Sequence, residues 1–293
     1  MTQFIQTIVL GLLIGGVYAL LASGLTLIFG VMRVINIAHG AFLILAAFLT
    51  YTAWHATGID PLVAVVFTTP LMFAFGWILY TFAVRRVRGA HVSSSVLLTF
   101  SIALVAEGLM GVIWGNTSHS VRPPYVNDSF HIGQIFLPKA QVYGCALATV
   151  VLVVLYVILT RTWLGRAIRA AAVNPSGAAL VGVNVSAVAA LSFAVGVGAA
   201  GAGGSIVSVL YPFLPGSHYQ WIARLLGIIV LGGMGSLPGA VVGALLLGIA
   251  ETATVSYISP AWATAVPYLI IFVVLLARPQ GLVGARLRED VAV

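Results

Sequence analysis

Residues 8–57 are two long apolar runs interrupted once, by a small polar cluster at Arg33, Asn36 and His39. A bilayer crossing needs about 20 predominantly apolar residues, so this stretch reads as two spans joined at that cluster. Backbone in lipid must satisfy its own hydrogen bonds, which confines a chain of this kind to bundled helices. Polar groups are costly there, so Arg33, Asn36 and His39 are where a path or gate is first sought, with Asn36 and His39 its candidate residues. Composition agrees with a membrane chain throughout: 6% of the 293 residues are charged and 61% are hydrophobic, a balance that excludes a soluble globular domain. The expected fold is an all-α, polytopic, integral membrane protein, with residues 1–293 forming a single transmembrane domain. The N-terminus MTQFIQ lacks a basic region and the first apolar run exceeds that of a secretory signal, so this segment is expected to stay.

The basic residues set the orientation. Ten of the thirteen fall in four groups: Arg33; Arg85, Arg86 and Arg88; Arg161, Arg166 and Arg169; and Arg278, Arg286 and Arg288. Lys and Arg near span ends mark the cytoplasmic side, so all four are placed there, with the N-terminus outside and the C-terminus inside. The spans between them read 8–30, 39–57, 62–84, 92–114, 141–160, 188–211, 221–235, 237–258 and 263–277. Eight or nine hydrophobic segments are therefore expected. The uncertain region is 221–258, two short apolar runs around the breaker GGMGSLPG, where parity allows either two full spans or a re-entrant pair. The polar stretch 115–140 holds turn formers Pro123, Pro124, Asn127, Asp128 and Gly133 and reads as a structured external loop.

Glycines recur at four-residue spacing: Gly11 with Gly15; Gly196, Ala200, Gly204 and Ser208; Gly235, Gly239 and Gly243. Such stripes let helix backbones approach closely, and helix packing within one subunit is the expected use. Ionisable residues within spans are Glu107, Glu251 and Arg224. A carboxylate in a span is a candidate path residue, and a proton-coupled carrier would need one to titrate; pairing of the carboxylates with Arg224 is the structural alternative.

Residues 161–187 form the main cytoplasmic loop. Leu164, Ile168 and Ala171 share one helical face and Arg166 and Arg169 the other, so a short amphipathic helix is expected, broken at Pro175, with a small-residue turn before Gly182. It could lie on anionic lipid or dock on a cytoplasmic partner. There is no phosphate-binding G-x-x-x-x-G-K-[ST] loop, no G-x-S-x-G nucleophile motif and no H-E-x-x-H. One cysteine, Cys145, and six scattered histidines offer neither a disulfide nor a metal-ligand spacing. Ser93, Ser94 and Ser95 after His91 read as helix capping. No enzymatic activity, metal or nucleic acid partner is expected.

Four motifs together resemble one family. They are GLLIGGVYALLASGLTLIFGVMRVINIAHGAF at 11–42, RTWLGRAIRAAAVNPSGAALVGVNV at 161–185, VLGGMGSLPGAVVGALLLGIAE at 230–251 and RPQGLVG at 278–284. In this order and at this length they are similar to the permease subunits of bacterial branched-chain amino acid ABC importers, and within them to the H-type permeases of the Liv system. The resemblance implies a pair of permease subunits, this one with a homologous M-type subunit, in the plasma (inner) membrane. It implies two cytoplasmic ATPases that hold ATP and Mg, a periplasmic substrate-binding protein, and no cofactor on this chain. Asn36 and His39 match the N-x-A-H-G element. Arg166, Arg169, Ala171, Ala172, Asn174 and Gly182 fall in the ATPase coupling loop, and Gly232, Gly233, Gly235, Pro238 and Gly239 form the glycine-rich breaker. Two departures are visible: Ala41 stands where relatives often carry Glu, and Arg169-Ala170-Ala171-Ala172 stands where the better-known loop has an acidic residue. The resemblance implies leucine, isoleucine and valine as cargo; urea or short amides are the alternative within the family, and a proton-coupled carrier or a membrane enzyme outside it.

Overall fold

A computed structural model describes residues 2–87, 92–278 and 281–283. Arg88, His91, Arg286, Arg288 and positions 279, 280 and 284 of the last motif lie outside the described residues. The elements are α1 (Thr2–Met32), α2 (His39–Thr57), α3 (Val65–Val87), α4 (Val92–Trp114), β1 (Ser129–Ile132), β2 (Ile135–Pro138), α5 (Lys139–Arg161), α6 (Trp163–Val173), α7 (Pro175–Leu180), α8 (Val185–Leu210), α9 (His218–Gly232), α10 (Leu237–Tyr257), α11 (Pro260–Ala263) and α12 (Val266–Ala277).

Seven of these helices, α1, α2, α3, α4, α5, α8 and α10, are long and apolar enough to cross a membrane. Of the two runs flanking the glycine-rich breaker, the second forms the full-length helix α10. The first, α9, has 15 residues, a length of about 22 Å, short of the ~30 Å hydrocarbon core. The last apolar run is split as well: Ser259 caps α11, and α12 has 12 residues, about 18 Å. The sequence therefore has nine apolar segments but, among the described residues, seven crossing-length helices, because α9 is bounded by irregular backbone at 211–217 and 233–236 and the last run is split between α11 and α12.

α8 is the axis of the bundle, and its small residues explain why. A methyl group added at Gly196 would sit 2.7 Å from the Gly24 carbonyl of α1, and one at Gly201 would sit 2.9 Å from the Thr68 carbonyl of α3; at Gly204 it would collide with the Leu43 carbonyl of α2. Three helices thus approach α8 backbone to backbone. Gly11 and Gly15 do the same for α1 against Ile249 and Leu245 of α10, and Gly243 brings α10 against the Ile228 carbonyl of α9. All three glycine stripes serve packing inside the chain. The helices at the periphery turn Val66, Phe67 and Leu71 of α3, Leu97, Val105 and Val112 of α4, and Val150, Val153 and Val154 of α5 outward. Apolar surface on this scale belongs in lipid.

The buried residues divide into two clusters along the bundle. One gathers Leu27, Ile28 and Val31 of α1, Tyr80 and Val84 of α3, Leu155 and Leu159 of α5, Ala167, Ile168 and Ala171 of α6, and Val188 to Ala190 of α8. Arg33, Arg85, Arg86, Arg161, Arg166 and Arg169 follow these residues, so one end of the bundle collects the basic groups, in line with the charge pattern. The other end carries the β1–β2 hairpin, tied to α1 by Gln6, whose amide bonds both main-chain groups of Phe136. There the 115–140 segment is held by main-chain bonds between His119 and Phe213 and from Val121 N–H to the Ser208 carbonyl, and by Tyr125 donating to Asp60 at 3.1 Å. It is a structured loop.

Candidate functional site

The polar cluster between the first two helices is not a surface turn. Arg33 ends α1 with φ +53°, the one non-glycine residue in the left-handed region among the described residues, and this reverses the chain. Residues 34–38 then run back along α1. The His39 imidazole reaches the Leu21 carbonyl (3.3 Å) and its Cε1 would meet a methyl group at Gly24 at 3.0 Å. Leu21 and Gly24 precede Met32 by eleven and eight residues, so α2 begins roughly 12–16 Å inside the end of α1. On the other side, α9 closes over the helix start: the His218 carbonyl would lie 2.5 Å from a methyl group at Gly40. Thr99 of α4 receives the Ile37 amide and donates to the Ile35 carbonyl. Asn36 and His39 are 1% and 0% exposed, and among the described residues no partner meets either polar atom of the Asn36 amide or the His39 Nδ1.

The two carboxylates are both partnered. Glu251 of α10 receives Arg224 Nε of α9 at 3.0 Å and the Tyr18 hydroxyl of α1 at 2.6 Å. Tyr211 stands 3.5 Å from the Tyr18 hydroxyl, and the guanidinium lies over the Trp221 ring. The network ties α1, α9 and α10 together. Glu107 of α4 binds His218 Nε2 and the Tyr219 hydroxyl, each at 3.0 Å. Its side chain stays 29% exposed while His218 is buried, so α4 is latched to the first turn of α9. The sequence pointed to Glu107, Glu251 and Arg224; it gave no hint of Tyr18, Tyr211, His218 or Tyr219 as their partners. A tyrosine or histidine inside an apolar run is the signal that could have raised them.

In the cytoplasmic loop, Thr162 caps α6 and Asn174 both ends α6 and caps α7 by receiving the Gly177 amide at 2.9 Å. Gly182 has φ +86°, the turn that sends the chain into α8. The apolar face expected at Leu164, Ile168 and Ala171 is present, and it is covered by the chain's own bundle: Ile168 and Ala171 are buried in the basic-end core. Ala167 and Ala171 are thus packed inward, while Ala170 and Ala179 stay exposed. What also projects is Val173, Leu180 and Val181, 80%, 90% and 79% exposed, together with Asn174 and Pro175. Arg166 is exposed, whereas Arg169 donates to the Leu159 carbonyl at the end of α5.

The breaker is a backbone contact. Gly232 and Gly239 touch so closely that neither has room for a Cβ, Gly233 and Gly235 have φ +99° and +85°, Ser236 caps α10, and Pro238 sits in its first turn. Gly281, from the fourth motif, lies against Gly233, and the amides of Leu282 and Val283 donate to the Leu231 and Gly232 carbonyls. Two motifs whose contacting residues lie 48 to 51 positions apart in the sequence thus form one joint.

The profile of the family described as branched-chain amino acid transport system / permease component matches residues 7–275. The chain is 28% identical to the high-affinity branched-chain amino acid transport system permease protein LivH of Salmonella typhimurium, over 96% of either chain. It is 27% identical to the corresponding protein BraD of Pseudomonas aeruginosa, again over 96% of each, and 26% identical to a probable LivH of Methanocaldococcus jannaschii, over 90% of this chain and 88% of that one. No solved structure matches. With seven crossing-length helices and a match over nearly its whole length, the chain belongs to the family of branched-chain amino acid transport permeases.

Proposed function

We propose that the chain is one of two permease subunits of a binding-protein-dependent ABC importer in the bacterial plasma membrane, and that it carries branched-chain amino acids. Its partner is a homologous M-type permease; two cytoplasmic ATPases bind ATP and Mg, and a periplasmic binding protein delivers the cargo. The chain itself performs no chemistry. In this reading the basic end faces the cytoplasm and the hairpin faces outward.

The observation that carries the proposal is the construction of the α6–α7 loop. Its inner face is rooted in the bundle and its tip offers Val173, Leu180 and Val181 to whatever lies beyond. A helix lying on lipid would turn its apolar face toward the membrane. Here that face is occupied, and Val173, Leu180 and Val181 are exposed at the tip, with Trp163 exposed at the start of α6. This is the geometry of a plug for a groove on another protein. The same core cluster contains Ala38, Ala41 and Phe42 at the start of α2, so a push on the loop bears on the proposed path.

Reconstitution tests the proposal. With the second permease, the ATPases and the binding protein in proteoliposomes, leucine should accumulate only with ATP inside the compartment where the ATPases sit. The chain alone should neither hydrolyse ATP nor move leucine. Uptake by the isolated chain driven by a proton gradient would overturn the importer reading, and ATP-driven uptake of urea or short amides without leucine would reassign the cargo.

A further inference from the structure

We infer that the first turn of α2, with Asn36 and His39, binds the charged ends of a zwitterionic α-amino acid during translocation. This rests on the importer reading and goes further, naming the part of the cargo that is recognised and the residues that recognise it. Thr162, Asn174, Asn184 and Ser236 each receive an amide of the helix they begin, whereas α3, α5, α9 and α12 start without a side-chain cap. α2 has no such cap. Ala38 stands at its cap position, and the amides of Gly40 and Ala41 meet no acceptor among the described residues. A 19-residue helix therefore opens within the bundle with free N–H groups and the positive end of its dipole.

The side chains at that start point independently to a ligand. Asn36 is three residues before the helix and its carbonyl receives the His39 amide, which closes residue 36 against the first turn. Its amide group is buried, and both Nδ2 and Oδ1 are without partners. His39 is the first helical residue. Its Nε2 is spent on the Leu21 carbonyl, which can only accept, so the proton is on Nε2 and Nδ1 is a bare acceptor. Nδ1 is the ring nitrogen nearer the backbone, and it too is buried and unpartnered. Buried polar atoms left unpaired are rare, and one that persists calls for an explanation. Five unused groups of complementary kind belong to residues 36–41. The amides of Gly40 and Ala41 and the Asn36 Nδ2 are donors suited to a carboxylate, and the His39 Nδ1 and Asn36 Oδ1 are acceptors suited to an ammonium.

A neutral urea or amide supplies no anion for the helix end. An α-amino acid supplies both signs on adjacent carbons. A discontinuous helix whose free N-terminus meets an anionic cargo group is a device that bilayer proteins can build from backbone alone. In this structure the site is closed, since the first turn of α9 lies on Gly40, so cargo reaches it when α9 moves away.

The test uses the full importer complex and two variants. Asn36→Leu keeps the branching of the side chain, with somewhat more bulk, and removes both unpaired polar atoms, so where Asn36 is only a buried burden the gain from losing them offsets the crowding. His39→Gln preserves a donor near the Nε2 position and removes the Nδ1 acceptor. We expect both complexes to assemble and to melt at or above the wild-type temperature, while leucine uptake falls at least tenfold. Uptake within twofold of wild type in either variant overturns the proposal. Loss of assembly or a melting point lowered in both variants also overturns it, because it assigns the two residues to the fold. Absence of leucine uptake by the wild-type complex is a different result, and it counts against the importer reading instead.

Discussion

Replacing Glu251 by Gln leaves Arg224 as a charge without its counterion among α1, α9 and α10. Glu251 is 7% exposed and the Arg224 side chain 17%. Breaking a buried pair from one side costs on the order of 3–5 kcal/mol, and the partial exposure of Arg224 argues for the low end, about 3 kcal/mol. The amide still receives the Tyr18 hydroxyl, so the loss isolates the charge. At ~2–4 °C per kcal/mol for chains in this size range, the melting point should fall by roughly 6–12 °C. In the double variant Glu251→Gln with Arg224→Leu no charge is left to strand, and most of the loss should return; a coupling of at least ~2 kcal/mol is expected from the cycle. The assay is thermal melting of the purified complex at one fixed scan rate, because unfolding in detergent is irreversible for many membrane proteins and only matched scans compare. A Glu251→Gln melting point within ~2 °C of wild type, with additive effects in the cycle, would refute the lock. The same variant speaks to a proton-coupled carrier: a titrating carboxylate would lose transport on neutralisation and keep its stability, the reverse of what the ion pair demands.

Two further outcomes follow from the loop and the breaker. Leu180→Asp together with Val181→Asp should leave the melting point of the chain within about 1 °C, since both side chains are exposed, yet release the ATPase on co-purification; Ala171→Trp should instead destabilise the permease itself by about 1–3 kcal/mol, because Ala171 is packed in its own core. Gly232→Ala places a methyl group on the Gly239 backbone and should lower both melting point and yield, a loss that Gly108→Ala, with open space around it, should not show.

How much of this was legible in the sequence depends on the range of the interaction. Lengths and spacings are local, so the crossing helices, the basic end and the capped loop at 161–187 could be read from residue order, and the stripes on α1, α8 and α10 already implied close helix contact. The failures were of three kinds. Parity alone does not separate two full spans from a re-entrant pair, so residue order leaves 221–235 open between them, whereas α9 has 15 residues, and apolar composition does not reveal the break that leaves α12 with 12. Amphipathicity gives the direction of the apolar face and not its neighbour, so the bundle residues that cover Ala171 could not be named from residue order. Partners distant in sequence leave no periodic trace: Tyr18 finds Glu251 across 233 residues, and Gly281 finds Gly233. The depth of the α2 start is also a tertiary result, set by the turn at Arg33 and by the small residues Gly24 and Gly40 that let His39 and α9 come close.

Where the loop and the break sit relative to each other constrains how an importer of this build would transmit force. Ala167, Ile168 and Ala171 of α6 belong to the same buried cluster as Ala38, Ala41 and Phe42 at the α2 start, with Ile28 and Val31 of α1 and Val188 and Ala189 of α8 between them. Close-packed interiors shift between discrete arrangements more readily than they compress, so a displaced α6 has to be answered by its neighbours. α8 is the stiff element in that set, held to α1, α2 and α3 at glycine contacts that leave no slack. The yielding element is α9, which is short, bounded by irregular backbone at both ends, and fastened over Gly40 by the Glu107–His218 latch and to α10 by the Arg224–Glu251 pair. Motion entering through the loop is thus directed at the contact between the α2 start and α9, the same contact that covers Asn36 and His39. A gate placed there needs no long relay, because the loop helix α6 and the α2 start belong to one buried cluster.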